Sequence, residues 1–339
     1  MIVRENVPLA ALTTFEVGGA ARFLIEATSS EDVRAALLFA RERELAVRVL
    51  GSGSNVLVAD SGFGGLVLLM RAQSIAVEEH ADRSLVTVSA GVLLDDLVAA
   101  SGKRGLVGLE SLSGIPGTVG GAVVANAGAY GASCGDMLVS VDVINRVEPD
   151  LPVQTIMKEA CDFAYHDSLF SKEPEQFIVI AATFALSRGD ATMLTLRRAE
   201  ILDTREKKGA LIQEGRESYK CAGSFFHMPY VSADEYEQIV ARARALDAVK
   251  EERLRPWAWP QTDGRVKLAP GFLLEYTPFQ KGYVRGAVGI SPRHTLSIIN
   301  VGDARASDIA QLARDMQTAV KNIFTVSLER EVEYIGEVE

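Results

Sequence analysis

Apolar positions along this chain alternate between helical and strand-like spacing, and the elements they predict are short. Around residues 30–42, Val33, Leu37 and Leu38 recur at helical intervals, with Glu31, Arg34, Arg41 and Glu42 outside, and Ser29 or Ser30 is placed to cap that helix. Residues 46–50 read as a buried strand, 66–70 and 86–89 as further strands, and 93–100 as a short helix, with a charged turn at 78–83. Residues 139–145 and 177–186 read as two more strands. Residues 13–17 read as a strand that runs into a turn at Gly18 and Gly19. Strands often follow one another directly, which suits an α+β domain better than a doubly wound sheet, and this domain is expected to end near residue 187.

The remaining pattern predicts a smaller second domain, 188–339. Residues 194–208 place Leu196, Ile201 and Leu202 among many charges, and Arg205, Lys207 and Lys208 read as a solvated basic helix end or as contacts for an anionic substrate. Ser232-Ala233-Asp234-Glu235 has the form of a capping box, opening a helix towards Arg253 that stops at Trp257-Ala258-Trp259-Pro260. Residues 284–290 and 295–300 are expected strands. Ser307 is the expected cap of a helix with Ile309, Leu312, Ala313, Met316 and Val320 on one face, and residues 326–335 are expected to close the chain as one strand.

Charge narrows the function classes. The formal charge is −10, from 45 acidic and 35 basic residues, which argues against a nucleic-acid partner but leaves room for a local basic pocket. The three cysteines Cys134, Cys161 and Cys221 are widely spaced, so buried reduced thiols are expected rather than a disulfide framework or a metal site. No apolar run reaches the roughly 18 residues of a membrane span, and the N-terminus lacks a signal-peptide core, so a cytoplasmic protein with no membrane partner is expected.

Two glycine loops carry the chemistry. Residues 108–131 hold Gly108, Gly114, Gly117, Gly120, Gly121, Gly128 and Gly131 among small or apolar residues, with no charge after Glu110. A solvated linker would be richer in serine and charge. This loop is built for close backbone approach, and its N–H groups could cradle a diphosphate. The second, Leu50-Gly51-Ser52-Gly53-Ser54-Asn55-Val56, runs between two apolar segments. Neither is a P-loop or a Rossmann fingerprint, so a different dinucleotide fold is indicated.

The pairing of Gly-Ser-Gly-Ser-Asn-Val-Leu with Ser113-Gly-Ile-Pro-Gly-Thr-Val-Gly-Gly-Ala and Asn126-Ala-Gly-Ala-Tyr-Gly resembles the UDP-N-acetylenolpyruvoylglucosamine reductase (MurB) family. Thr13-Thr14-Phe15, Val17-Gly18-Gly19, Ala222-Gly223-Ser224-Phe225-Phe226, Val266-Lys267-Leu268 and Leu328-Glu329-Arg330-Glu331-Val332 agree in the same order, so the resemblance spans nearly the whole chain. It implies an α+β fold: an FAD-binding domain of the PCMH/vanillyl-alcohol-oxidase type over 1–187, plus a smaller α+β substrate domain over 188–339 whose last strand returns towards the active site. It implies FAD and NADPH as cofactors, no metal, and no obligate protein partner. The implied FAD contacts are Gly51, Ser52, Gly53, Ser54, Asn55, Ser113, Gly114, Pro116, Gly117, Gly120, Gly121, Asn126 and Gly128. The implied reaction is reduction of UDP-N-acetylglucosamine enolpyruvate. Hydride at the terminal carbon leaves charge beside the carboxylate, so the site must supply a proton and stabilise that charge. Ser224 matches the family's proton donor and Glu331 its glutamate, although Glu329 lies on the same face of a strand and spacing does not separate the two. Tyr130 and Lys267 match substrate-side residues. Residues 188–220 are short for a tyrosine-bearing lid, which implies the family's lidless form.

Two positions depart from the family pattern. Tyr165-His166-Asp167-Ser168 carries histidine where the family has arginine, and Met228 stands where an asparagine helps to hold substrate. Arginine stays charged at any relevant pH, whereas an unperturbed histidine titrates near 6.5. The alternatives to a reductase are a flavin oxidase of the same FAD fold or a catalytically impaired FAD-binding homologue. Three readings follow: His166 acts as a weaker, pH-sensitive electrophile, another Arg or Lys reaches in from elsewhere, or the site is impaired. On the first, turnover varies with pH near neutrality and His166→Arg flattens that variation. An identical kcat/KM profile from pH 5.5 to 8.5 in the two proteins would overturn this role.

Overall fold

The computed structural model describes residues 1–212, 215 and 219–338, and these divide into two compact units. The first comprises Met1–Pro8, Ala20–Ser54 and Gly62–Lys207, and the second comprises Leu9–Gly19, Asn55–Ser61 and Lys208–Glu339. The division is therefore not a single cut at 187. Residues 9–19 and 55–61 are drawn from the N-terminal half into the second unit, and the helix Ala191–Lys207 stays with the first.

The first unit is α+β. One sheet has the order Val3–Pro8, Ala20–Ala27, Phe63–Met70, Val47–Leu50; its first pair is antiparallel and the next two are parallel. Parallel strands need a crossover, and the helix Ser30–Glu42 connects Ala20–Ala27 to Val47–Leu50, which lie on either side of Phe63–Met70 and are each parallel to it. That helix buries Val33, Ala36, Leu37 and Ala40, and Ser29, not Ser30, caps it by accepting the Asp32 N–H. A second, antiparallel sheet runs Val153–Met157, Leu138–Asn145, Phe177–Arg188, Arg83–Ser89, Ile75–Glu79. The expected charged turn at 78–83 is narrower in the fold, because Glu78, Glu79 and Arg83 belong to the paired strands. One core, from Ile25 to Leu186, joins this unit's elements.

The second unit has its own core, from Phe15 to Val332. Residues 13–17 are not a strand: a 3-10 turn over Ala10–Leu12 precedes them, and Phe15 and Val17 are buried in this core. The helix expected from Ser232 to Arg253 is two helices, Ala233–Leu246 and Ala248–Leu254. Ser232 and Glu235 do form the capping box, but Asp247 adopts extended backbone and accepts the Lys250 N–H, so it ends one helix and caps the next. The expected strand 284–290 is a hairpin of Val284–Arg285 and Val288–Ile290, extended by Ile298–Asn300. At the C-terminus only Glu333–Ile335 is strand, paired in parallel with Val56–Val58.

The helix Ala306–Phe324 buries Ile309, Leu312, Ala313, Met316 and Val320 as the pattern indicates, but Ser307 lies inside it rather than capping it. The cap comes from Asp60, far away in sequence. Its carboxylate accepts the Ala306 N–H at 2.7 Å, the Ser307 N–H at 3.1 Å and the Ser307 hydroxyl at 2.7 Å. Burial works against the Asp60 charge, but these donors and Arg305 outweigh it and hold its pKa below the usual carboxylate range. A depressed carboxylate pKa gives stability that is fully present above about pH 4 and is lost as pH falls through the folded-state value. Asp60→Ala should cost about 1–2 kcal/mol at pH 7 in urea unfolding, the usual range for a lost helix cap. Its deficit should shrink below pH 4, and a deficit independent of pH would refute the carboxylate's part in it.

Candidate active site

The two glycine loops meet within the first unit. A Cβ on Gly51 would strike the Thr118 side chain, and one on Gly117 would come within 3.1 Å of the Ser54 hydroxyl. Gly114 and Gly117 take positive φ, +71° and +121°. The Ser52 hydroxyl oxygen is buried and, among the described residues, has no hydrogen-bond partner. Leaving such a group unsatisfied costs about 1–3 kcal/mol, which a phosphate oxygen at this seam would offset. Backbone approach, small residues and an unsatisfied buried hydroxyl together fit FAD.

Other expected FAD residues shape the cradle through bonds of their own. The segment Val119–Val124 is a short helix that the glycine reading missed, and Thr118 caps it by accepting the Gly121 N–H. Gly120 gives its N–H to the Ala90 carbonyl, and a Cβ there would sit 2.8 Å from Ala90 Cβ. The Ser113 hydroxyl donates to the Glu110 carbonyl, and Pro116 lies between the two positive-φ glycines. Gly128 lies in a hairpin with Ala132–Ser133. Gly53 continues the first loop with φ +67°. Asn55 falls in the second unit, where its side-chain amide donates to the Glu331 carbonyl at 3.3 Å.

The turn bearing His166 is fixed to this cradle. Ala164 and Asp167 form an antiparallel bridge, and His166 takes φ +51° at the turn between them. The Asn126 amide donates to the Ala164 carbonyl and the Ser168 hydroxyl donates to the Val124 carbonyl, both at 2.6 Å. Ser168 also caps the helix Leu169–Lys172. The His166 ring packs edge-on against Tyr165, with ring centroids 4.4 Å apart.

The helix Ala191–Lys207 changes the reading of the basic cluster. Leu194, Arg198, Ile201 and Arg205 fall at intervals of four, three and four, which puts them on one face. Leu194 and Ile201 are buried. Arg198 pairs with Asp95 at 2.6 Å. Arg205 is not a solvated end: burial lowers its pKa, while Tyr130 and Asp95 favour its charge and Tyr130 hydrogen-bonds it. Tyr130 is itself half-exposed, at the tip of the Gly128–Ser133 hairpin.

In the second unit the segments that carry Ser224 and Glu331 are joined through the backbone. Glu331 donates its N–H to the Phe225 carbonyl at 2.9 Å, His227 donates its N–H to the Glu329 carbonyl at 2.9 Å, and Phe226 bridges Arg330. Phe225 and Phe226 are buried and anchor the segment, and Gly223 takes φ +75° just before Ser224. Burial separates the two glutamates that spacing could not: Glu329 is exposed, whereas Glu331 is enclosed and its pKa is pushed up to about 7. His227 Nδ1 lies 3.9 Å from a Glu331 carboxyl oxygen, beyond hydrogen-bond range. Burial lowers the His227 pKa, so desolvation moves both groups towards their neutral forms. Met228 follows, half-buried. Lys267 is paired across strands with Tyr230, its ammonium 5.5 Å from that ring centroid, and burial lowers its pKa. Cys134, Cys161 and Cys221 are buried and form no disulfide among the described residues; burial raises their pKa values, Cys134 to about 12 and Cys161 to about 11. Among the described residues no helix is long and apolar enough to cross a membrane. Residues 213, 214 and 216–218 of the stretch considered for a lid lie outside the described residues.

Known proteins resemble the whole chain. An FAD binding domain model matches residues 21–147, and the C-terminal domain model of UDP-N-acetylenolpyruvoylglucosamine reductase matches 215–335. The chain is 34% identical to the UDP-N-acetylenolpyruvoylglucosamine reductase of Thermobifida fusca, over 98% of each chain. It is 35% identical to that of Pseudomonas aeruginosa, over 97% of this chain and 98% of the relative. The crystal structure of the Thermus caldophilus reductase matches with a TM-score of 0.71 at 28% identity, covering 99% of this chain and 100% of that one.

A raised carboxyl pKa has the opposite sign to that of Asp60. Relative to an unshifted glutamate, its contribution is fully present below pH 4.5 and is lost as pH rises to about 7. In flavin-free protein, Glu331→Gln should therefore unfold like the parent at pH 4.5 and be more stable at pH 8 by on the order of 2 kcal/mol. Parallel stability curves across that range would contradict the shift.

Proposed function

The chain belongs to the UDP-N-acetylenolpyruvoylglucosamine reductase family, and from that premise we propose that it reduces UDP-N-acetylglucosamine enolpyruvate to UDP-N-acetylmuramate, using FAD and NADPH. This is the UDP-N-acetylmuramate dehydrogenase reaction of peptidoglycan precursor synthesis. The observation that carries it is full-length similarity with both domain models in order. We assign FAD to the first unit and the substrate chemistry to the second. We also assign the enzyme to the cytoplasm, where soluble UDP-sugars and NADPH are its partners and no obligate protein partner is needed.

FAD held in the glycine cradle would supply the redox chemistry, passing a hydride from NADPH to the terminal vinyl carbon of the substrate. Ser224 gives its hydroxyl proton to the carbon beside the carboxylate, completing the saturated ether. A serine hydroxyl is a weak acid, so it serves only because that carbon is strongly basic once hydride has been added. Glu331, whose pKa burial pushes up to about 7, donates a hydrogen bond to the substrate carboxylate in its protonated form and so stabilises the charge that develops there. The backbone bond from Glu331 to Phe225 supports this pairing, since it keeps the carboxyl beside the residue that follows Ser224. His166 provides a donor where the family has arginine. Tyr130 and Lys267 are assigned as substrate-side residues from their match to the family motifs. Ser52, Gly53, Ser54, Gly51 and Gly117 would hold the FAD diphosphate, and Ser113, Gly114, Gly120, Gly121, Asn126 and Gly128 hold the shape of that cradle.

Anaerobic stopped-flow separates the half-reactions. NADPH should bleach the flavin, and UDP-N-acetylglucosamine enolpyruvate should then restore its absorbance. Ser224→Ala should leave the first step intact and slow the second by about 10²–10⁴-fold. Bleaching without substrate-driven recovery in the parent would overturn the substrate assignment. Equal recovery in both proteins would overturn the role of Ser224.

A further inference from the structure

The first turn of the helix Leu94–Lys103 grips the tetrapeptide Gly114-Ile115-Pro116-Gly117 at both ends. The Leu94 N–H donates to the Gly117 carbonyl at 3.0 Å. The Asp95 carboxylate accepts the Gly114 N–H at 2.7 Å through one oxygen. Its other oxygen accepts the Arg198 guanidinium at 2.6 Å. Gly114 sits at φ +71°, a conformation that nothing in its own side chain can hold, so the carboxylate fixes where its N–H points. Arg198 lies on the buried face of its helix between Leu194 and Ile201, and its Nη1 is buried without a partner among the described residues. An arginine placed there is costly unless its charge is used, and the Asp95 contact uses it.

We propose that Asp95 and Arg198 are positioning residues for the cofactor: as a coupled pair they set the conformation of the Gly114–Gly117 loop and thereby its affinity for the FAD diphosphate. The proposal rests on the assignment of FAD to the first unit. Arg198 orients the carboxylate so that one oxygen remains aimed at Gly114. As positioning residues the two act through the loop rather than on the dinucleotide itself. Because an asparagine has a single acceptor oxygen, Asp95→Asn cannot serve both partners.

The test is a double-mutant cycle on FAD affinity, measured by flavin fluorescence as the purified holoenzyme releases FAD on dilution. Asp95→Asn and Arg198→Gln should each weaken FAD binding by about tenfold, the scale of one charge-assisted hydrogen bond. The double variant should be no weaker than either single one, because both break the same strut. Arg198→Lys, which keeps the charge, should recover part of the loss. The melting temperature of the flavin-free variants should stay within a few degrees of the parent, which separates loop positioning from a general loss of stability. Unchanged affinity in the single variants, additive losses in the double variant, or losses matched by a collapse in melting temperature would each overturn the proposal. Failure of the parent to bind FAD would instead overturn the assignment of FAD to this unit.

Discussion

A backbone loop can present itself to an anion only when groups outside the loop hold it still. Glycine removes the steric obstacle but adds conformational freedom, and that freedom must be taken away again. In this protein the second glycine loop is restrained by atoms on several sides. Leu94 and Asp95 hold Gly117 and Gly114, Val92 and Ala90 take the N–H groups of Val119 and Gly120, and Thr118 caps the helix that follows. The same segment then anchors the next turn, because Asn126 and Ser168 tie the His166 turn to it. Small residues give the cradle its shape, and hydrogen bonds from neighbouring elements give it rigidity.

Long-range capping recurs elsewhere. Asp60 satisfies the start of the helix Ala306–Phe324 although 246 residues separate it from Ala306. This bond lies beside the parallel pairing of Val56–Val58 with Glu333–Ile335, so one short segment both adds a strand and caps a helix in the second unit. Glu251 is handled in a comparable way: nearly fully buried, it is neutralised by Arg255 and Arg244. A buried carboxylate with two guanidinium partners stays charged, and its pKa is lowered. Glu331 has desolvation as the resolved cause of its shift, and its pKa rises. The same residue type is thus driven in opposite directions by its surroundings, towards a structural anion in one place and a neutral donor in the other.

The sequence by itself determined the α+β class, the two glycine loops and the family. Each rests on local composition or on short motifs whose order survives in the chain. It also determined most helices, since apolar residues three or four apart need one buried face. His166 and Met228 were legible as departures, because each stands inside a motif whose neighbours match.

Tertiary structure decided which of those residues act together. Spacing cannot separate Glu329 from Glu331, two residues apart; exposure does, since Glu329 is exposed and Glu331 is half-buried with a raised pKa. Local pattern left Arg205 as either a solvated helix end or a contact for an anionic substrate, because the charges around it mask a stripe in which leucine and isoleucine alternate with two arginines. It placed the cap of the last long helix on Ser307, because a remote carboxylate leaves no trace at the capped residue. It also drew one domain boundary where the chain passes between units several times. Hydrophobic periodicity and motif order are properties of neighbours in sequence. Burial, pKa and the partner of a carboxylate belong to neighbours in space, and only the folded chain brings those together.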